Sequence, residues 1–246
     1  MNYYTDFPRK IFHKTLKSIG LEVHRINVSS NPYFQLCKAL DTFNINVVFD
    51  IGANTGQFAT ELRSFGYKGK IISFEPLSDA HKILSKVAEF DSNWNIHHRS
   101  AIGDFNGQVE INVAGNSASS SILPMLDYHI SAAEGTGYIG TERVPISKLD
   151  SITSEYFSES DDLFIKIDTQ GFEWQVLNGA TDTLKKAKGI LCELSLVPLY
   201  EGQYLWLDVL TRLESEGFTP WSFDQGFIDS RNGRTLQVDA TLFRTN

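Results

Sequence analysis

A short glycine-containing turn directly after an apolar run is the segment of this chain with the clearest chemical meaning. The run at 47–50 ends in a carboxylate, and residues 52–56 then lead into a pattern typical of a helix. A strand, a tight turn and a helix N-terminus in this order form a cradle for a nucleotide-like cofactor. A second apolar run ends at Glu75, 23 residues after Gly52, close to the roughly 20 residues expected before a ribose-binding acid. The spacing therefore predicts a cofactor that carries a ribose.

The turn differs from the one that dinucleotides use. Residues 52–56 read Gly-Ala-Asn-Thr-Gly, so Asn54 stands where the Gly-x-Gly-x-x-Gly pattern has its second glycine. Asparagine can still adopt the left-handed backbone conformation. A pyrophosphate would disfavour the nearby Asp50 carboxylate, whereas S-adenosylmethionine carries an ammonium and a sulfonium that suit it. The charge at the end of this strand therefore favours S-adenosylmethionine over NAD.

Alternating strand and helix patterns surround this turn and must position it. The expected strands cover 46–51, 70–74, 94–101, 162–168, 189–195, 219–223 and 236–243. The expected helices cover 56–65, 78–89, 172–186 with a break at Gly179, and 203–216. Repeated strand–helix units predict an α/β fold with a mostly parallel sheet and helices on both faces. The last two strands lack a helix between them and should pair antiparallel, which gives a seven-stranded mixed, Rossmann-like sheet.

Two regions fall outside this alternation. Residues 1–44 are expected to form an N-terminal helical extension before the main domain at 45–246. Residues 102–160 interrupt the strand–helix rhythm, and long loops in compact domains are usually either functional or disordered. We therefore expect the insertion on the substrate side of the domain. Finer patterns predict helices near 11–19 and 33–40, a strand at 109–113, a polar loop at 116–121 and an irregular segment at 138–145.

The composition restricts the class of protein. A chain of 246 residues with 41% hydrophobic residues suits one large folded α/β domain with an extension. The net charge of −8 makes nucleic acid an unfavourable partner, because it repels a phosphate backbone. Cys37 and Cys192 lack metal-ligand spacing, so reduced thiols in the cytoplasm are expected. No segment approaches about 18 uncharged apolar residues, so no membrane partner is expected, and homo-oligomer formation stays open.

Several short motifs occur together along the chain. They are residues 50–56, 74–76 (Phe-Glu-Pro), 101–104, 117–122, 176–180 and, most specifically, 165–173 (Ile-Lys-Ile-Asp-Thr-Gln-Gly-Phe-Glu). This set resembles the FkbM family of S-adenosylmethionine-dependent methyltransferases over about 45–220. The resemblance implies a class I methyltransferase fold and methyl transfer to a hydroxyl. Gln170 departs from the family pattern, in which glutamate is common; if that acid takes part in the chemistry, substrate or metal use differs here.

The cofactor site can be assigned residue by residue on this basis. Asp50 would orient the methionine ammonium, directly or through water, and Glu75 would accept both ribose hydroxyls. The resemblance implies adenine contacts for the residues that follow the third strand. An ordinary strand–helix turn is the alternative reading of residues 52–56. The expected cofactor-binding residues are Asp50, Gly52, Asn54, Thr55, Gly56, Glu75, Ser100, Ala101 and Asp168.

A hydroxyl acceptor also requires a base, because neutral alcohols are poor nucleophiles. Asp168 and Glu193 lie at the carboxyl ends of strands, where ligands bind in such sheets. Lys166 lies inside a central strand and needs a partner, for which Glu193 or Glu173 is the natural choice. A structural ion pair and a direct catalytic role for this lysine both stay open. The expected catalytic residues are Asp168, Glu193, Lys166 and Glu173. The acids could instead hold Mg²⁺, although a metal-free site is favoured.

The resemblance thus predicts an enzyme that O-methylates a hydroxyl of a sugar, glycan or polyketide-type small molecule. One alternative is a catalytically silent S-adenosylmethionine-binding protein, which would keep Gly52 and Glu75 but need no working acid at Asp168 or Glu193. A nicotinamide-dependent oxidoreductase is a weaker alternative, because the dinucleotide turn is missing.

Overall fold

A regular alternation of strands and helices runs through residues 12 and 14–245, the part of the chain that the computed structural model describes. The strands are β1 (Val47–Ile51), β2 (Lys70–Phe74), β3 (Trp94–Ile96), β4 (Ala101–Ile102), β5 (Gly107–Ala114), β6 (Tyr138–Ser147), β7 (Leu163–Ile167), β8 (Ala187–Ser195), β9 (Thr219–Gln225), β10 (Ile228–Asp229), β11 (Arg234–Thr235) and β12 (Gln237–Phe243). From Pro32 onward the helices are α1 (Pro32–Thr42), α2 (Gln57–Ser64), α3 (Ser78–Ala88), α4 (Asp127–Ala132), α5 (Leu149–Ile152), α6 (Glu173–Asn178), α7 (Thr181–Lys186) and α8 (Trp206–Ser215).

Seven strands form a central sheet in the order β3-β2-β1-β7-β8-β12-β9. Strands β3, β2, β1, β7 and β8 run parallel to one another, whereas β12 is antiparallel to both β8 and β9. The predicted seven-stranded mixed sheet, with an antiparallel last strand, is confirmed. The strand order reverses between β1 and β7, and ligands of open α/β sheets bind beyond the carboxyl ends of the strands at such a point.

Alternate side chains of the central strands enter two separate apolar layers. Phe49 and Ile165 belong to the layer that includes α6, α7 and α8, whereas Val48 and Phe164 belong to the layer that includes α1, α2 and α3. Every residue of β1 and β7 is buried, as a parallel sheet covered on both faces requires. The carboxyl ends of these two strands are therefore held rigidly from both sides.

The insertion at 102–160 is more regular than the sequence suggested. The strand predicted at 94–101 was too long: it ends at Ile96, and β4 pairs instead with β6 in a second sheet of order β4-β6-β5. The segment at 138–145, expected to be irregular, lies within β6, which pairs antiparallel with β5. Gly140 and Pro145 weaken the local strand pattern of β6, and the ladder to β5 overrides it. The strand predicted at 109–113 is confirmed within β5.

The predicted helices agree with the structure more closely than the predictions for the insertion do. The break predicted at Gly179 is confirmed, since α6 ends directly before it and α7 follows. Residues 14–18 are helical, with Gly20 at a left-handed φ of 78° after them, while Ile11 lies outside the described residues. The helix predicted at 33–40 is α1, and the Asn31 side chain caps it by accepting from the backbone N–H of Phe34. Within residues 12 and 14–245, every helix falls short of the length and apolar character that crossing a bilayer needs.

Candidate functional site

A cavity of about 420 Å³ opens at the carboxyl ends of β1, β2 and β7. Its volume lies in the range of about 300–1,000 Å³ that small-molecule pockets occupy. Glu75, Ser100 and Ala101 line it together with apolar side chains, and so do the carboxylates Asp168 and Asp239. The cavity thus brings together the predicted ribose-binding acid and the predicted base, which are far apart in the sequence.

The glycine turn after β1 forms one wall of this cavity. Gly52, Asn54 and Gly56 all have left-handed backbone angles, with φ of 76°, 48° and 92°. A Cβ added to Gly52 would lie 1.8 Å from the carbonyl oxygen of Asp168, so only glycine lets the turn approach the end of β7 this closely. Gly52 and Asn54 line the cavity, whereas Thr55 and Gly56 lie outside its lining.

Glycine is needed at position 56 for a different reason, which is close packing against neighbouring side chains. A Cβ at this position would meet side-chain atoms of Leu84 at 2.9 Å and Trp94 at 3.0 Å. Gly56 therefore lets α2 begin against the apolar layer of α3 and β3. Its predicted contact with a cofactor is not supported by its position.

Glu75 follows β2 and is held by two backbone groups. Its Oε2 accepts a hydrogen bond from the N–H of Asn54 at 2.7 Å, and its Oε1 accepts from the N–H of Leu77 at 2.8 Å. Burial raises the pKa of this carboxyl to about 7, although both backbone donors favour the ionised form. The side chain is 4% exposed and lines the cavity. Each oxygen keeps lone pairs for a further donor, as two ribose hydroxyls would require.

Ser100 is another residue of the cavity wall, and its buried side chain has an unsatisfied hydroxyl. The residue is fully buried, lines the cavity, and its Oγ finds no hydrogen-bond partner among the described residues. A buried polar group without a partner costs about 1–3 kcal/mol, so this hydroxyl is suited to bind a ligand atom. Ala101, Ile102 and Phe172 supply apolar lining, which suits a flat heteroaromatic ring beside the hydroxyl.

Lys166 lies on β7 and forms ion pairs that the sequence reasoning misassigned. Its Nζ is 3.3 Å from Asp50 Oδ1 and 3.5 Å from Asp168 Oδ2, and it donates to the Gly52 carbonyl at 2.9 Å. The predicted partners Glu193 and Glu173 are wrong. Strand register explains the difference, because Lys166 stands directly opposite Asp50 on β1.

The charges around Lys166 keep it protonated. Burial alone would lower the pKa of its ammonium group, but the carboxylates of Asp168 and Asp50 outweigh burial and raise it. Lys166 reaches the cavity, whereas Asp50 is fully buried and lies outside its lining. Asp50 can therefore act on a ligand only through Lys166 or a water molecule.

The side-chain amide of Gln170 bridges Asp168 and Glu193 through hydrogen bonds. Gln170 Nε2 donates to Asp168 Oδ1 and to Glu193 Oε2, both at 2.8 Å. Glu193 Oε2 also accepts from Gln237 Nε2 at 2.7 Å. Burial raises the pKa of Glu193 well above its usual range, and the nearby charge of Asp168 adds to this. Asp168 and Gln170 line the cavity but Glu193 does not.

Glu173 stabilises a turn and does not line the cavity. Its Oε1 accepts from the backbone N–H of Thr169 at 2.9 Å and of Gly171 at 3.0 Å. These bonds hold the turn in which Gln170 and Gly171 take left-handed φ values of 54° and 93°. Glu173 is buried and lies outside the lining, so the catalytic role expected for it is not supported by its position.

Sequence reasoning missed several residues that line the cavity. Tyr33 comes from α1, and Asp224 and Asp239 stand opposite each other on β9 and β12. Burial raises the pKa of Asp239 to about 6, and the charge of Asp168 adds to the effect. One signal was present, because strand alternation places Asp239 and Thr241 on one face of β12. Nothing local indicated that this face meets the end of β7.

The insertion also contributes to the wall of the cavity. Ser117 Oγ donates to the side-chain oxygen of Asn54 at 3.2 Å, and Ser121 Oγ donates to the Gln170 carbonyl at 2.7 Å. Both serines line the cavity. The polar loop predicted at 116–121 therefore connects the glycine turn to the turn after β7.

Within residues 12 and 14–245, His, Cys, Asp and Glu side chains form no group of three or more placed to hold a metal ion. Between Asp168 and Glu193 the Gln170 amide supplies the two hydrogen-bond donors.

Known proteins resemble this chain in sequence and in fold. The 2-O-methyltransferase NoeI of Sinorhizobium fredii (strain NBRC 101917 / NGR234) is 30% identical over 176 residues, covering 69% of this chain and 71% of that protein. Magnesium protoporphyrin IX methyltransferase (ChlM) of Synechocystis PCC 6803, solved with bound S-adenosylmethionine, has a TM-score of 0.45 at 11% identity, covering 100% of this chain and 85% of that one. The 1,6-didemethyltoxoflavin-N1-methyltransferase of Burkholderia thailandensis has a TM-score of 0.44 at 10% identity, covering 99% and 89%. The family described as "Methyltransferase FkbM domain" matches residues 50–220, a range that contains Glu75, Asp168 and Gln170.

Proposed function

Because the chain belongs to the FkbM family of S-adenosylmethionine-dependent methyltransferases, we propose that it O-methylates a hydroxyl of a sugar, glycan or polyketide-type small molecule in the cavity beyond β1 and β7. Asp168 is the proposed proton acceptor. The observation that carries the proposal is the cavity itself, which joins an unsatisfied Ser100 hydroxyl and the Glu75 carboxylate to the Asp168 carboxylate. Relationship to a 2-O-methyltransferase supports an oxygen acceptor.

The residues present fit S-adenosylmethionine. Glu75 has free lone pairs for the ribose hydroxyls, and Ser100 Oγ offers an unpaired hydrogen-bonding group beside apolar lining for adenine. Asn54 and Asp168 are the residues proposed to hold the methionine part. When bound, S-adenosylmethionine supplies an electrophilic methyl group on a positively charged sulfur. The surrounding carboxylates favour this charge, and Lys166 is the single cation among the described residues that line the cavity.

The remaining lining suits an acceptor with several hydroxyls. Asp224, Asp239 and Thr241 offer oxygen atoms that accept hydrogen bonds from such groups, and Tyr33 adds an aromatic ring that can stack on an apolar ligand face. In the proposed step a bond forms between the acceptor oxygen and the methyl carbon as the sulfur–carbon bond breaks. The hydroxyl proton passes to the Asp168 carboxylate. Alignment of donor and acceptor supplies much of the acceleration.

Methyl-labelled S-adenosylmethionine tests the function directly. Purified protein is incubated with a panel of glycans, free sugars and hydroxylated polyketides, with and without EDTA, and labelled products are identified by mass spectrometry. Label on an oxygen of one acceptor class supports the proposal. Transfer to nitrogen alone, or tight S-adenosylmethionine binding by calorimetry without transfer to any acceptor, contradicts it.

Ribose recognition by Glu75 should depend on pH. Because burial raises the pKa of Glu75 to about 7, the ionised form that accepts two hydroxyls is lost as the pH falls through this value. We expect the affinity for 5′-methylthioadenosine to fall about tenfold between about pH 8 and about pH 6. This probe keeps adenine and ribose but has no ammonium group of its own. Calorimetry at several pH values measures the effect.

The matched control for this titration is Glu75→Gln. The variant should bind the probe weakly and without pH dependence over the same range. A pH dependence that survives in Glu75→Gln would assign the titration to another group, such as Glu173, whose pKa burial also raises to about 7.

A further inference from the structure

A row of three carboxylates crosses the sheet on the side away from the predicted ribose site. Asp239 on β12 stands directly opposite Glu193 on β8 and directly opposite Asp224 on β9. Like charges that face each other across neighbouring strands destabilise a sheet. Acidic groups held at such a cost beside a cavity are candidates for ligand binding.

The three acids differ in the donors that they have. Glu193 accepts from two side-chain amides and lies outside the lining of the cavity. Asp224 and Asp239 are half-buried and line the cavity. The Asp239 carboxylate accepts no hydrogen bond from the residues that the structure describes. A donor from a ligand would therefore fill a gap that the described chain leaves.

The one cation of the described lining is already paired. Lys166 Nζ forms its ion pairs with Asp50 and Asp168. Burial raises the pKa of Asp239 to about 6; the charge of Asp168 adds to this, and that of Lys166 opposes it. Burial also raises the pKa of Asp224. A further positive charge beside these two carboxylates would stabilise their ionised forms.

Thr241 is an independent indication that a ligand binds here. It follows Asp239 by two residues, so both side chains lie on one face of β12. Thr241 is 2% exposed and lines the cavity. Its hydroxyl makes no hydrogen bond within the described part of the chain. A buried hydroxyl without a partner is costly, so we expect a polar ligand atom beside it.

Strand order separates these residues from the predicted cofactor site. Strand β12 is two strands beyond β7 and four beyond β2. Since neighbouring strands lie about 4.8 Å apart, Asp239 is roughly 10 Å from the line of β7 and roughly 19 Å from that of β2. Glu75 follows β2 and Asp168 follows β7. The part of the cavity at Asp224, Asp239 and Thr241, here called the acceptor end, thus lies beyond Asp168 from the ribose site.

Apolar side chains complete the acceptor end. Tyr33 and Leu36 of α1 and Leu191 of β8 line the cavity. Burial raises the pKa of Tyr33 to about 12, and the charge of Asp239 adds to the effect, which places this ring near the carboxylate. An aromatic face can bind both the apolar face of a sugar ring and a cation.

Resting on the proposed methyl transfer to a hydroxyl, we propose that the acceptor carries a protonated amino group beside its hydroxyls, as an amino sugar does, and that Asp239 and Asp224 bind this group. Thr241 binds a neighbouring polar group of the same ligand. An ammonium held by carboxylates has no lone pair, so the methyl group goes to a hydroxyl near Asp168. Acceptors that carry a carboxylate or a phosphate are repelled by the acidic row.

Three glycosides test the inference without turnover. Methyl glucosaminide, methyl glucoside and methyl glucuronide present a cation, no charge and an anion on closely similar rings. Their binding to the protein saturated with S-adenosylhomocysteine is measured by calorimetry near neutral pH. We expect the glucosaminide to bind about 10- to 100-fold more tightly than the glucoside, the range for hydrogen bonds to charged groups. The glucuronide should show no binding.

Asp239→Asn keeps the shape of the side chain and removes its charge. The preference for the amine over the neutral glycoside should fall about tenfold or more, with unchanged affinity for S-adenosylhomocysteine. The melting temperature of the ligand-free variant should rise by up to about 4 °C, because a pair of like charges is removed. A rise also shows that the variant is folded.

Asp182→Asn is the matched control. It makes the same chemical change at an exposed ion pair with Lys185, outside the lining of the cavity. This variant should keep the wild-type preference for the amine.

The outcomes separate this inference from the proposed function. The inference is overturned if the wild type binds the amine no better than the neutral glycoside, or if the preference survives in Asp239→Asn. A loss of S-adenosylhomocysteine affinity in Asp239→Asn also overturns it, because the carboxylate then serves the cofactor. If the wild type transfers methyl groups to no hydroxyl, the proposed function fails, and the glycoside affinities still decide whether Asp239 recognises an amine.

Discussion

Asp168→Asn lowers the kcat of methyl transfer about 10²- to 10⁴-fold, the contribution expected of a general base. Asparagine keeps the size of the side chain and an oxygen that can accept from Gln170, but its amide cannot take the proton of a hydroxyl. S-adenosylmethionine should still bind through Glu75 and Ser100, with an affinity lowered by the loss of the Asp168 charge that is proposed to hold its methionine part. Single-turnover kinetics with the acceptor found in the screen, together with calorimetry of the cofactor, measure both effects.

The matched control is Asp162→Asn, which makes the same change immediately before β7 and at its opposite end. Asp162 pairs with Lys188 at 2.7 Å and lies outside the lining of the cavity. The Asp162→Asn variant should retain wild-type turnover. An Asp168→Asn protein with unaltered kcat would remove Asp168 from proton transfer and leave alignment by the cavity as the whole source of catalysis.

Lys166→Met lowers the free energy of unfolding by about 3–5 kcal/mol, the cost typical of removing one partner from a buried ion pair. The Lys166 side chain is 6% exposed and that of Asp50 is 0% exposed. Without the ammonium group, Asp50 keeps one hydrogen bond, from the Ser73 hydroxyl at 3.1 Å, but loses its counter-ion. Methionine fills a similar volume, so loss of packing is a minor part of the effect. Urea denaturation followed by circular dichroism gives the value.

Lys188→Met provides the comparison for this experiment. Its side chain is 44% exposed and pairs with Asp162 at the surface, so the loss should stay within about 1 kcal/mol. Combining Lys166→Met with Asp50→Asn should restore part of the stability, because the uncompensated buried charge is then removed. If the double variant is no more stable than Lys166→Met, the ion pair with Asp50 is not the source of the loss.

Local sequence patterns determined the central sheet and one half of the site. The apolar runs of β1 and β2, the glycine turn and Glu75 lie within about 30 consecutive residues, and short-range periodicity is sufficient to place such a unit. The position of Asp168 directly after β7 and the break at Gly179 were predictable for the same reason. The role of Gly52 was also recognisable from the sequence, since a tight turn with left-handed backbone angles needs glycine.

Contacts between distant segments determined those parts of the fold and of the site that local patterns did not. The partner of Lys166 depends on which strand lies beside β7, and β1, not β8, places an acid opposite it. Strand β6 forms because β5 offers a hydrogen-bonding edge, although Gly140 and Pro145 argue against a strand locally.

The residues that line the cavity beyond the cofactor-binding residues also depend on contacts between distant segments. Tyr33, Asp224 and Asp239 converge only after α1 covers the sheet and β12 inserts between β8 and β9. The sequence by itself determined the main elements of the central sheet and where a ribose-bearing cofactor is expected to bind, because those properties follow from neighbouring residues. Tertiary structure alone decided which charges meet, because strand order and register join residues that no local pattern relates.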